Sequence, residues 1–249
     1  MTLFKKIEIH FSSYLWLIFL LFTGQISFFI NMFIILVAHE LGHIIIIRLL
    51  NRKIYKIVIF PLGGVIDFEI DKNADLKEEF LIFLGGLLVN ILICFLPLSE
   101  EIKIFNFSML IFNALPIIPL DGGRILENLI SRFFSFINTL KIMSIFSITV
   151  SISIYLYFLF ITRNFTYFAL LCYLLLEIVN YYSKINKRFN YFILNKYLYN
   201  NDRLKRRKVK NSNIPKNFYK GYNNYQNDKN EKYLLDTYFK KETNNNFDK

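Results

Sequence analysis

Residues 35–47 read Ile35-Leu36-Val37-Ala38-His39-Glu40-Leu41-Gly42-His43-Ile44-Ile45-Ile46-Ile47. They lie inside a largely apolar run, 26–50, long enough to cross a bilayer as a helix, which takes about 20 residues. Two imidazoles and a carboxylate stand in the middle of that run. Ionisable groups are costly at such depth unless they are paired or metal-bound. Helix positions i and i+4 share a face, so His39 and His43 can grip one Zn²⁺ with Glu40 beside it as general base. Polar glue between helices requires neither this spacing nor the glutamate.

Two histidines leave a catalytic zinc one protein ligand short, with the fourth position kept for water. His10, the remaining histidine, reads as an interfacial residue. The membrane-edge carboxylates Asp121, Glu127 and Glu177 are the candidates. Asp121 stands out because it closes Asn113-Ala114-Leu115-Pro116-Ile117-Ile118-Pro119-Leu120-Asp121-Gly122-Gly123. Two prolines interrupt a helix there, and irregular backbone at membrane depth is tolerated where it lines a cavity or is buried in protein.

Further out, six apolar stretches can be marked, at 11–23, 26–50, 79–98, 102–120, 136–161 and 165–182. Hydrophobic residues make up 54% of the chain and aromatics 18%, above the usual level for a soluble domain. The first stretch, preceded by Lys5 and Lys6, reads as an uncleaved anchor, since no small-residue cleavage site follows it. The formal charge of +11 lies wholly in the last 67 residues: 1–182 hold 13 basic and 13 acidic side chains, 183–249 hold 17 and 6. That excludes a uniformly basic nucleic-acid binder. Loop charges place both termini on the cytoplasmic side by the positive-inside rule. The run Arg203 to Lys210 reads as part of that signal, with attraction to anionic headgroups or an acidic substrate as its alternative. From Asn211 to Lys249 the Asn-rich sequence reads as loosely structured. Cys94 and Cys172 both lie in apolar runs and make no disulfide or metal framework.

Residues 54–70 break the helical pattern. Two β-branched segments flank Pro61-Leu62-Gly63-Gly64, which reads as a hairpin on the membrane surface. Its exposed edge can dock an extended peptide by strand addition, which makes Pro61, Gly63 and Gly64 candidate substrate contacts.

The HELGH sequence on one span and Asn113-x-x-Pro116-x-x-Pro119-x-Asp121-Gly122 on a later one resemble the site-2 protease family of intramembrane zinc metalloproteases. The arrangement is the one without a PDZ insertion. Ile9-His10 before Trp16, Pro61-Leu62-Gly63-Gly64 and Leu76-Lys77-Glu78-Glu79-Phe80 resemble its sporulation branch, over about residues 5–205. The resemblance implies an all-α polytopic membrane protein of six transmembrane helices, with a membrane-associated β-hairpin between the second and third. It implies Zn²⁺ held by His39, His43 and Asp121, Glu40 as the catalytic glutamate, and Asn113 and Pro119 lining the active-site region. Asn113 can serve as an amide donor to the oxyanion or as an interhelical hydrogen bond. The implied partner is a membrane-associated precursor, pro-sigma-K in the mother-cell membrane surrounding the forespore, with membrane proteins as possible inhibitors and no nucleic acid. Residues 1–182 would form the protease domain and 183–249 a basic cytoplasmic tail. About 45 residues follow Lys205, too few for the nucleotide-binding CBS domain of that branch. The alternatives are a protease for another membrane regulator, or a non-proteolytic zinc-binding membrane protein or transporter. A transporter should show paired broken helices in two repeats, and only Pro116-Pro119 breaks one.

Overall fold

The computed structural model of the chain describes residues 7–9, 11, 14, 26–60, 63–68, 76–162, 167–198, 204–209, 215–227 and 229–247. Pro61, His10 and nearly all of the stretch 11–23 lie outside them. The chain divides into two compact units, residues 1–70 with 80–115, and residues 71–79 with 116–249.

In the first unit, strand β1 (Ile7–Ile9) is followed by helix α1 (Ile26–Leu49), strands β2 (Ile54–Phe60) and β3 (Gly63–Phe68), and helix α3 (Glu100–Ala114). The intervening helix α2 (Leu76–Cys94) starts in the second unit and continues into the first. Helix α1 stops abruptly. Asn51 adopts φ 56°, and the Arg52 and Asn51 N–H groups bond back to Ile47 O at 3.0 Å and Arg48 O at 2.9 Å. This is a Schellman ending, in which a left-handed residue satisfies carbonyls that the helix leaves over. Arg48 in the last turn suits the negative end of the dipole. The chain then turns straight into the predicted hairpin. β2 pairs antiparallel with β3, Ile57 opposite Ile66. β1 adds to the other side of β2 in parallel register, so the hairpin belongs to a three-stranded sheet in the order β1-β2-β3. Ile54 and Ile57 are buried with Ile47 of α1 and Ile82 of α2, while Tyr55 between them is exposed. Helices α1 and α2 approach closely where Gly42 meets Gly85: a Cβ on Gly42 would lie 2.4 Å from Gly85 O. Small residues at a helix contact permit such close approach.

Helix α3 ends at Ala114 because Leu115, before Pro116, is held extended at ψ 137°, as a residue preceding proline prefers. The predicted break in the 102–120 stretch is therefore present.

In the second unit come helices α4 (Asp121–Ile130), α5 (Phe136–Thr162), α6 (Tyr167–Ser183) and α7 (Ile185–Leu198). Strands β4 (Arg206–Lys208) and β5 (Asn223–Tyr225) and helix α8 (Glu231–Phe247) complete it. Two helical stretches among the described residues, Ile30–Leu49 and Phe136–Ile161, are long and apolar enough to cross a membrane; a third results if α6 and α7, bent by 46°, form one span.

The C-terminal region departs from its expected looseness. β4 and β5 pair in parallel. Val209, Phe218, Leu234 and Leu235 are buried in one core with Phe136, Leu140 and Met143 of α5 and Phe189, Phe192 and Ile193 of α7. Arg207 stacks over Tyr219, 3.8 Å from the ring centroid, and over Tyr222, and donates to the main-chain oxygen of Arg132. The buried pair Lys196–Glu231, 2.6 Å apart, ties α7 to α8. A polar, Asn-rich composition mimics disorder, but a few apolar residues suffice when helices already formed supply the other side of the core.

Candidate metal centre

The two motif histidines are buried on one face of α1, their rings edge to face with centroids 4.9 Å apart. Each has its Nδ1 engaged. His43 Nδ1 is 2.7 Å from Ile82 O, and His39 Nδ1 is 3.1 Å from Asn90 Oδ1. Both partners are acceptors, so each Nδ1 carries the ring proton and each Nε2 presents a lone pair. The two Nε2 atoms lie 3.3 Å apart. Two lone pairs facing each other repel unless a cation sits between them. At a tetrahedral zinc with Zn–N of about 2.0–2.1 Å, adjacent ligand nitrogens are about 3.3–3.4 Å apart. The donor chemistry and spacing of this pair therefore fit zinc. The space beside it is kept by Gly86, where a Cβ would stand 2.5 Å from His43 Nε2 and 2.7 Å from His39 Nε2.

Glu40, half-buried, turns toward the sheet. The Gly64 N–H donates to its Oε1 at 2.7 Å. A side chain at 64 would collide with it, because a Cβ there would stand 2.8 Å from the Glu40 carboxyl carbon. The predicted site residues His39, Glu40, His43 and Gly64 thus share one neighbourhood, with Gly63 beside Gly64 opposite Phe60. Asn113 lies half-buried in the last turn of α3.

In the second unit, Asp121 is the first residue of α4, preceded by Leu120 in extended conformation. A carboxylate suits that end of a helix dipole. The backbone ahead of it is irregular, with a cis Ile118–Pro119 bond, and is pinned where Ile118 N–H donates to Ser147 Oγ of α5 at 3.0 Å. Glu127, the rival carboxylate, is committed elsewhere. It pairs with Arg188 at 2.7 Å and Arg124 at 3.1 Å. Burial alone would raise its pKa, but Arg188, Arg124 and Lys220 outweigh that and hold it near about 2, against an ordinary 4.5. Glu177 stands half-buried on α6.

Sequence reading did not assign Asn90 and Ile82 to this centre. Ile82 contributes only its main-chain oxygen, which no side-chain pattern announces. Asn90 had a visible signal, a lone amide in an apolar helix.

The model for Peptidase family M50 matches residues 27–99 and 98–160. Stage IV sporulation protein FB of Bacillus subtilis is 32% identical over 144 residues, 52% of this chain and 50% of that protein. A zinc metalloprotease of Methanocaldococcus jannaschii is 32% identical over 126 residues, 46% of this chain and 37% of that one. The chain therefore spans half or less of these curated relatives. The solved site-2 protease from Methanocaldococcus jannaschii aligns with a TM-score of 0.50 and 24% identity, over 70% of this chain and 89% of that structure. At that identity the likeness is one of fold.

Proposed function

Because the chain belongs to Peptidase family M50, an assignment that carries zinc with it, we propose that it is an integral membrane protease. It would cleave a membrane-associated regulatory precursor within six spans whose termini are cytoplasmic. The carrying observation is the pair of proton-free Nε2 atoms 3.3 Å apart on α1. Asp121 would be the third protein ligand, completing a donor set of two imidazole nitrogens and one carboxylate oxygen. When bound, zinc supplies Lewis acidity to the scissile carbonyl and to the attacking water.

The remaining work falls to the chain. Glu40 takes a proton from the attacking water and later delivers it to the leaving amine. The Gly64 N–H donates to Oε1, which supports a reading in which Oε2 takes the proton. Asn113 donates its amide to the developing oxyanion or to the substrate backbone, and Pro119 is the further candidate for lining the active-site region. The substrate lies extended along β3, an edge strand of the sheet, beside Pro61 and Gly63. Since the Gly64 N–H already serves Glu40, Gly64 holds the base and other edge groups of β3 receive the substrate.

The similarity to the sporulation protein favours a pro-sigma-K-like precursor. Co-expression of candidate precursors with the wild type should yield cleaved product. Glu40→Gln, folded and zinc-loaded, should lower cleavage by at least about 100-fold. Undiminished cleavage by that variant would sink the proposed mechanism.

A further inference from the structure

The two imidazoles are oriented by different kinds of partner. His43 faces a main-chain oxygen, which almost any residue at position 82 would supply. His39 faces a side chain, the amide of Asn90. Asn90 is 0% exposed, one turn beyond Gly86 on α2. Its Oδ1 faces His39, while its Nδ2 has no hydrogen-bond partner among the described residues, so the amide is kept there at a cost that an apolar side chain would not carry. Helix packing alone would be served by Leu. The backbone that carries it is held from α3. Asn106, also 0% exposed, donates through Nδ2 to the Asn90 main-chain oxygen at 2.8 Å and to Cys94 Sγ at 3.1 Å.

From this geometry we infer that Asn90 is a positioning residue for the metal-binding histidine pair, and that Asn106 braces it. The inference rests on the zinc reading above. An amide has two orientations. With Oδ1 toward His39, Nδ1 must carry the proton and Nε2 keeps its lone pair. With Nδ2 toward His39, Nε2 would carry the proton, point it at His43 and lose the capacity to bind metal. Only the first orientation is compatible with a ligand, and it is the one in the structure. Metal-binding histidines generally need such an acceptor behind them to fix tautomer and ring plane. An amide provides it without adding a charge to the apolar helix.

The test is zinc affinity of the full-length protein in detergent, by competition with a chromogenic chelator, together with the visible spectrum of the Co²⁺ form. Asn90→Leu, similar in size but unable to accept, should bind zinc about 10–100-fold more weakly and alter the cobalt spectrum. Asn90→Asp keeps the acceptor and should stay within about threefold of wild type. Asn106→Leu leaves the acceptor in place but unbraced, and should fall between them. Wild-type affinity in Asn90→Leu overturns the inference, as does Asn90→Asp binding as weakly as Asn90→Leu. Should Asn90→Leu not fold, unchanged affinity in Asn106→Leu overturns it. Failure of the wild type itself to bind zinc would instead overturn the metalloprotease reading, so the two failures are distinguishable.

Discussion

Glu40 and Glu127 are both carboxylates on helices of an apolar protein, and they are held in opposite ways. Glu127 is buried and clamped by two arginines, at 2.7 and 3.1 Å. Glu40 is half-buried and held at Oε1 by a backbone N–H. Two guanidinium charges lock a carboxylate in its ionised form, which suits a joint in the structure and makes it a poor proton carrier. A neutral backbone donor fixes the direction of the Glu40 carboxylate without setting a full charge against it. One acid is thus held by charge and the other by direction.

The comparison can be broken first at Glu127. Glu127→Ala leaves Arg188 and Arg124 without their partner and should destabilise the fold by about 3–5 kcal/mol, read as a lowered unfolding midpoint in denaturant. Replacing Glu127 and Arg188 together by Leu and Met should cost less, since the Arg188 guanidinium is then removed with its partner instead of being left buried and unpaired. Acid titration sharpens the same point. A folded pKa near about 2, below the ordinary 4.5, contributes stability above pH 4.5 that is lost as pH falls from 4.5 toward 2. The loss should reach on the order of 3 kcal/mol, and it should be absent from Glu127→Gln. The smallest effect concerns the other acid. Gly64→Ala pushes a methyl into the Glu40 carboxyl group and should slow cleavage about tenfold by misplacing the base, with zinc content unchanged. Equal loss of zinc and activity would show instead that Gly64 supports the metal centre.

Much of this centre was legible in advance because its signals are local. His39 and His43 lie one helical turn apart, and that spacing alone brings their rings together. The β-branched segments around Pro61-Leu62-Gly63-Gly64 announced a hairpin, and Pro116 announced the end of α3. What escaped was non-local. β1 joins β2 from more than 40 residues away, and three residues of parallel pairing leave no pattern of their own. The C-terminal region looked loose because its buried residues, Val209, Phe218, Leu234 and Leu235, are few and scattered. They are core only because α5 and α7 present Leu140, Met143, Phe189 and Phe192 to them.

The sequence by itself determined the His39–His43 pair, the broken helix before Asp121 and the apolar character of the long helices, since each rests on residue type and short spacing. Only the tertiary structure decided which partner each histidine Nδ1 faces, which backbone group aims Glu40, and which acid is bound up in ion pairs. Those choices depend on Ile82, Asn90, Gly64 and Arg188, partners from other elements of the fold. Hydrogen bonds and ion pairs act over about 3 Å, a distance that only the packed chain can set.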